Sequence, residues 1–244
     1  MLIVRNLTKS YDNVKVLNGV DLEVNRGDFI ALIGGSGSGK TTLLRCITGK
    51  EKPDEGDILL NGVNLAKASP WTRWVQSKHW AVIGSTEHLN PNRTAFRNVV
   101  TGRIRHFSFW RLLLGGKPSE EEHMRAMDHL EQVGLLDKAQ MKVEKLSGGE
   151  KQRVAIARAL SQGAKLIIAD DPVSHLDPRN AEAIMESFKE LYRRETVSVL
   201  CAMQNIEFAE RYASRIVGLA GGRIVLDIRG RRLTAAERHK LLST

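Results

Sequence analysis

Three groups of residues in this chain have the types and spacing that phosphate chemistry requires. The first is Gly34-Gly35-Ser36-Gly37-Ser38-Gly39-Lys40-Thr41-Thr42, a G-x-x-x-x-G-K-T run. It is approached through the apolar Ile30–Ile33 and left through Leu43, Leu44 and Ile47 at helical spacing. Glycines let the backbone curl until successive N–H groups face phosphate oxygens, and the helix begun at Lys40 adds its positive dipole end. Lys40 then suits the β- and γ-phosphates, and the Thr41 hydroxyl suits Mg²⁺. A chance lysine in a flexible glycine-serine loop would lack both flanks. The second group, Leu146-Ser147-Gly148-Gly149-Glu150-Lys151-Gln152-Arg153, opens the helical run Val154–Leu160. It offers a hydroxyl and backbone N–H groups at a helix start, a second anion site. The third is Asp170-Asp171 at the tip of the apolar run Leu166–Ala169, where a Mg²⁺-holding carboxylate belongs in phosphoryl chemistry. Together these imply binding of a nucleoside triphosphate. Two anion sites are more than one phosphate tail needs.

The elements that must position these groups follow from the hydrophobic pattern. Leu2–Tyr11 and Val16–Val24 read as strands ahead of the one that feeds the glycine loop, with turns at Asp12-Asn13 and Arg26-Gly27-Asp28. Ile58–Leu60 is a short strand before an Asn61-Gly62 turn, and Trp80–Gly84 is a further strand. From His88 to Val143 the texture becomes helical. Phe96, Val99 and Val100 share a face, and Pro118-Ser119-Glu120-Glu121-Glu122 starts a helix with acids in its first turn. Between them lies a basic, aromatic patch, Arg103 to Leu114. It fits a nucleic-acid surface, a docking segment for a partner helix or anionic lipid, or a core stripe with solvated arginines. Ser174 to Pro178 is a polar turn opening the helix Ala181–Arg193. Val197–Ala202 is a strand ending near Gln204. Ile216–Leu219 and Arg223–Leu226 form a hairpin, and a peripheral basic tail follows from Arg229.

Composition bounds the classes. At 244 residues with 42% hydrophobic and 27% charged side chains, the chain suits one large globular core rather than a disordered segment. No apolar run reaches about 18 residues and no signal-peptide pattern opens the chain, which predicts a protein that neither spans a membrane nor is secreted. Cys46 and Cys201 lack metal-ligand spacing and read as reduced core thiols. The net charge of +9 fits nucleic acid, an anionic membrane face or a basic surface, and does not choose among them.

The glycine loop, the Ser147-Gly148-Gly149 run, the Asp170-Asp171-Pro172 strand end and Ser174-His175-Leu176-Asp177 resemble, in order and spacing, the ATPase subunit of ABC transporters. The match runs over nearly the whole chain. Within that family, His88 to Val99 and Phe109-Trp110-Arg111 are most similar to phosphonate importers. The resemblance implies an α/β P-loop NTPase core of ABC type, with an N-terminal antiparallel β subdomain and an inserted helical subdomain. The boundaries expected are core at 1–87 and 144–228, helical subdomain at 88–143 and tail at 229–244. It further implies head-to-tail pairing with a second ATPase subunit, identical or paralogous, each ATP lying between one loop and the other chain's Ser147-Gly148-Gly149. Tyr11 matches the aromatic that stacks on adenine, Asp170 holds Mg²⁺ through water, and Asp177 belongs to a loop crossing the dimer interface. The helical subdomain would receive a membrane permease, which works with a solute-binding protein, and so put the chain at the cytoplasmic face of the membrane. One glycine loop and one signature per chain argue against a nucleic-acid-associated member.

Three positions depart from the family pattern. Asp171 replaces the glutamate that polarises the attacking water and is one methylene shorter. Gln204 replaces the γ-phosphate histidine, so it can donate an N–H but cannot carry a proton. Ser85 stands where a glutamine touching Mg²⁺ is expected, with Gln76 and Glu87 as misaligned alternatives. These changes bear on rate more than on binding, since phosphoryl transfer depends on positioning and charge stabilisation. The expectation is an importer ATPase with slowed hydrolysis. The alternative is a degenerate member acting as a nucleotide-gated regulatory or binding subunit.

Overall fold

Strands Phe29–Ile33 (β3), Leu166–Asp170 (β7) and Ser198–Met203 (β8) are apolar almost throughout, so they need cover on both faces. The computed structural model describes residues 1–84, 89–102, 119–174, 176–194 and 197–242, and it sets these strands at the centre of a six-stranded sheet. With Trp80–Ile83 (β6), Arg215–Ala220 (β9) and Arg223–Arg229 (β10), the order is β10-β9-β3-β8-β7-β6. Strands β9 to β6 run parallel, and β10 closes one edge as the antiparallel half of the expected hairpin.

Alternate side chains divide the apolar residues into two clusters. One face of the sheet, carrying Ile30, Leu32, Ile168 and Leu200, packs on the helix Lys40–Ile47 (α1) and on a second sheet. That second sheet is four-stranded and antiparallel, ordered β2-β1-β4-β5 from Leu2–Tyr11 (β1), Val14–Val24 (β2), Glu55–Leu60 (β4) and Val63–Asn64 (β5). The opposite face, with Ala31, Ile167, Val199 and Cys201, packs on helices Gly148–Ser161 (α5) and Pro178–Arg194 (α6). The inserted helices Ala95–Val100 (α3) and Glu120–Gln132 (α4) join that same cluster through Phe96, Val99, Ala126 and Leu130. Ser119 and Glu122 close a reciprocal capping box at the start of α4, which fixes where this helix begins. A further helix, Pro70–Gln76 (α2), precedes β6; nothing in the apolar spacing of that stretch had marked it.

Both cysteines are buried, as expected of core thiols, and burial pushes the Cys46 thiol up to about 11 and Cys201 higher still. The tail corrects its sequence reading. It is not peripheral: Leu233 and the Leu241 of helix Ala235–Leu242 (α8) are buried in the main cluster. Leu241 sits where a Cβ on Gly218 would be only 2.4 Å from its Cδ2, so a glycine in β9 makes room for the tail. Helix Ile206–Tyr212 (α7), also missed by the apolar pattern, supplies Glu210, which takes both oxygens to Arg238 of the tail at 2.8 Å. Arg238, part of this basic end, is thus one of the groups that fasten it. No helix among the described residues is long and apolar enough to cross a membrane.

Candidate functional site

The glycine loop joins the carboxyl end of β3 to the start of α1, and its shape depends on neighbours distant in sequence. Gly37 and Gly39 have φ of 79° and 103°, a region costly for residues with a Cβ. At Gly39 a Cβ would also stand 2.9 Å from the Val16 carbonyl oxygen of β2. At Gly34 it would lie 2.2 Å from the Leu219 carbonyl oxygen of β9, a backbone atom that cannot swing away. The loop is therefore clasped between the two sheets. Gly34→Ala is expected to destabilise the protein by about 1–3 kcal/mol through overpacking. Thermal melting without nucleotide checks this, and an unchanged midpoint would mean that the loop is not held by β9.

Lys40 folds back over the loop. Its Nζ donates to the carbonyl oxygens of Gly34 and Gly35 at 2.8 Å each and lies 3.3 Å from Ser38 Oγ. Burial is the main influence on its ammonium and lowers its pKa; the carboxylates of Asp171 and then Asp170 act in opposition. Thr41 Oγ1 donates to Asp170 Oδ1 at 3.2 Å, so the loop hydroxyl and the acid at the tip of β7 face one another. Ser36, Gly37 and Thr41 are exposed along this edge. Beyond Asp170 the chain turns through Asp171 at φ 48°, with its N–H donating to the Ala202 carbonyl at 2.9 Å. Gln204 Nε2 donates to Asp171 Oδ2 at 3.2 Å. Loop, Asp170, Asp171 and Gln204 thus form one constellation at the carboxyl ends of β3, β7 and β8.

The other residues singled out by sequence stand apart from it. Ser147 caps α5, its Oγ accepting from Glu150 N while Glu150 Oε2 accepts from Ser147 N. That leaves the serine O–H free to donate elsewhere. Lys138 pairs with Glu150 and lowers its pKa, fixing the cap from the side; nothing in the local pattern signalled this partner. Ser147 and Gly148 are exposed, and the atoms closest to Gly148 and Gly149 come from Leu176 and Asn180. Asp177 is spent locally, accepting from Asn180 N at 3.1 Å and Asn180 Nδ2 at 2.6 Å, and these bonds lower its pKa. Tyr11 is 38% exposed at the end of β1, with Lys9 Nζ 5.2 Å from its ring centre. Among the described residues no hydrogen bond joins Ser147, Asp177 or Tyr11 to the glycine loop. Ser147 and Gly148 at this tip are open to solvent. Ser85, Glu87, His88, His175 and the Arg103–Leu114 patch lie outside the described residues. Gln76 ends α2 on the amino side of β6, so it cannot take the place expected beyond that strand's carboxyl end.

A sequence model of the ABC transporter family matches residues 17–174, a span running from β2 through the glycine loop and α5 to the turn after Asp171. The chain belongs to the ABC transporter family. It is an ABC-type ATPase, with the mixed α/β fold of those cassettes. It is similar to the phosphonates import ATP-binding protein PhnC of Lactococcus lactis subsp. lactis, 37% identical over 228 residues that cover 93% of this chain and 92% of the relative. The hypophosphite import ATP-binding protein HtxD of Stutzerimonas stutzeri is 39% identical, covering 93% of this chain and 66% of that relative. Among solved structures, a dimeric ATP-binding cassette in a post-hydrolysis state with ADP and Pi matches with a TM-score of 0.82 and 30% identity. The match covers 96% of this chain and all of that one.

Proposed function

We propose that this ABC ATPase is the ATP-binding motor subunit of an importer, coupling ATP binding and hydrolysis to uptake of phosphonate or a similar oxyanion. The observation that carries the reading is the 3.2 Å contact of Thr41 with Asp170 beside the buried Lys40. Two facing oxygen donors suit a hard cation, and Thr41 and Asp170 would hold Mg²⁺. When bound, the ion neutralises charge on the β- and γ-phosphates. Lys40 and the loop N–H groups bind the phosphates, and Tyr11 offers a flat face to adenine. The Ser147-Gly148-Gly149 tip serves the nucleotide of a second ATPase subunit, with Asp177 near the shared boundary. This accounts for two anion sites in one chain. The names of the relatives support the solute class, which the ATPase itself does not touch.

In this reading the chain lies on the cytoplasmic face of the membrane, bound to permease subunits and served indirectly by a solute-binding protein. Asp171 and Gln204 slow hydrolysis without preventing nucleotide-driven pairing. That pair is also what favours the second reading, a nucleotide-gated regulatory or binding subunit. Affinity purification from detergent-solubilised membranes separates the two. An importer subunit is expected to bring down a multi-span permease, and its deletion to remove phosphonate uptake. Recovery of the chain without any permease, with uptake intact in the deletion strain, would overturn the importer reading.

A further inference from the structure

A cavity of about 460 Å³ opens between the two sheets at the amino ends of β7 and β8, opposite the nucleotide loop. Four strand steps of roughly 3.3 Å separate Leu166 at this end of β7 from Asp170 at the other, about 13 Å in all. The floor is apolar: Leu2, Val24, Leu60 and Leu166 line it and are buried. Around the rim stand Arg26, His79 and Lys165, all exposed. No carboxylate lines the cavity among the described residues, and none of these three side chains makes a hydrogen bond or ion pair there.

The backbone beneath these three side chains is tied together. Lys165 N–H donates to the His79 carbonyl at 2.9 Å, and Ser198 N–H donates to the Lys165 carbonyl at 2.9 Å. Gly27 N–H, next to Arg26, donates to Ser198 Oγ at 3.0 Å. The hydroxyl of Ser198 is in turn spent on the Asn25 carbonyl, so it keeps the turn in place rather than facing the cavity. The positive charges of Arg26 and Lys165 on one rim repel, and an anion lying between them relieves that repulsion. A merely solvated basic surface would not have a concave apolar floor under it, and the volume falls in the range of small-molecule sites.

We propose that this cavity binds a small organic anion, with an oxyanion head between Arg26, His79 and Lys165 and an apolar body on Leu2, Val24, Leu60 and Leu166. The site is separate from the ATPase centre and does not depend on the importer reading. The test is calorimetric titration of the whole chain with Mg²⁺ and a non-hydrolysable ATP analogue saturating the glycine loop, so that its γ-phosphate position is already filled and added anions cannot enter it. The probes are phenylphosphonate, benzoate and inorganic phosphate.

Saturable binding of phenylphosphonate, at least about tenfold tighter than inorganic phosphate, is the expected result. Binding of benzoate as well would support the site and extend its head group to carboxylates. Its failure would support a phosphonate-selective site. The double variant Arg26→Ser/Lys165→Ser is expected to weaken phenylphosphonate by at least about tenfold while affinity for the ATP analogue stays unchanged, the control for folding. Absence of saturation by phenylphosphonate, equal affinity for phosphate, or full binding by the double variant would overturn the proposal.

Discussion

Lys40→Ala is expected to abolish the rise in melting temperature that ATP and Mg²⁺ give the wild-type chain. A ligand that binds only the folded state stabilises it by about 2.7 kcal/mol at a hundred times its dissociation constant, so the wild-type shift is easily measured. Lys40 is the one cation that the structure buries in the loop, and its ammonium rests on carbonyls of the residues that would surround the phosphates. Removing it deletes the charge and frees two carbonyl oxygens that point at the same space. The variant also loses contacts that hold the loop, so its melting point without nucleotide sets the baseline for its own shift. An undiminished shift measured that way would show that ATP binds elsewhere, and the role given to residues 34–42 would fall with it.

The second large effect is expected in the opposite direction. Asp171→Glu/Gln204→His should raise single-turnover ATP hydrolysis by on the order of a hundredfold, the cost attached to a reacting group misplaced by about 1 Å. Glutamate restores the missing methylene, and histidine restores a group able to carry a proton. The structure adds a counterweight. Asp171 sits at φ 48°, a left-handed conformation that aspartate tolerates better than glutamate because its short side chain can bond locally. Its carboxylate accepts from Gln204 there. The faster variant should therefore be the less stable one, by up to about 1–2 kcal/mol. Rate and melting point moving apart in this way would show that hydrolysis in the wild-type chain is slowed by a locally comfortable aspartate. A wild-type rate equal to that of the double variant would remove the idea of an impaired centre.

The parts of the site that could be read from sequence are those carried by local rules. Gly34–Thr42 announced itself because strand, glycines, lysine and helix are contiguous, and Asp170 because it ends a buried strand. The Ser147 helix start was legible through its S-x-x-E spacing, although the lateral clamp from Lys138 was not, since Glu150 lies twelve positions beyond Lys138, across loop and helix. Nor could the sequence reveal that Val16 and Leu219 press on Gly39 and Gly34, because those contacts exist only once two sheets have met. The Asp171–Gln204 pairing was hidden for the same reason: each was recognisable as a departure, but their hydrogen bond joins residues 33 apart. The tail was misread because charge was weighed and the two leucines were not. The role of Ser85, and of the aromatic arginine-rich stretch, falls on residues that the structure does not describe.

The docked tail has a mechanical consequence. Leu241 leans on Gly218, the next residue after it is Leu219, and the carbonyl of Leu219 is the wall behind Gly34. Tail packing and the shape of the glycine loop thus share one strand, so a substitution that displaces β9 at Gly218 disturbs the seats of both.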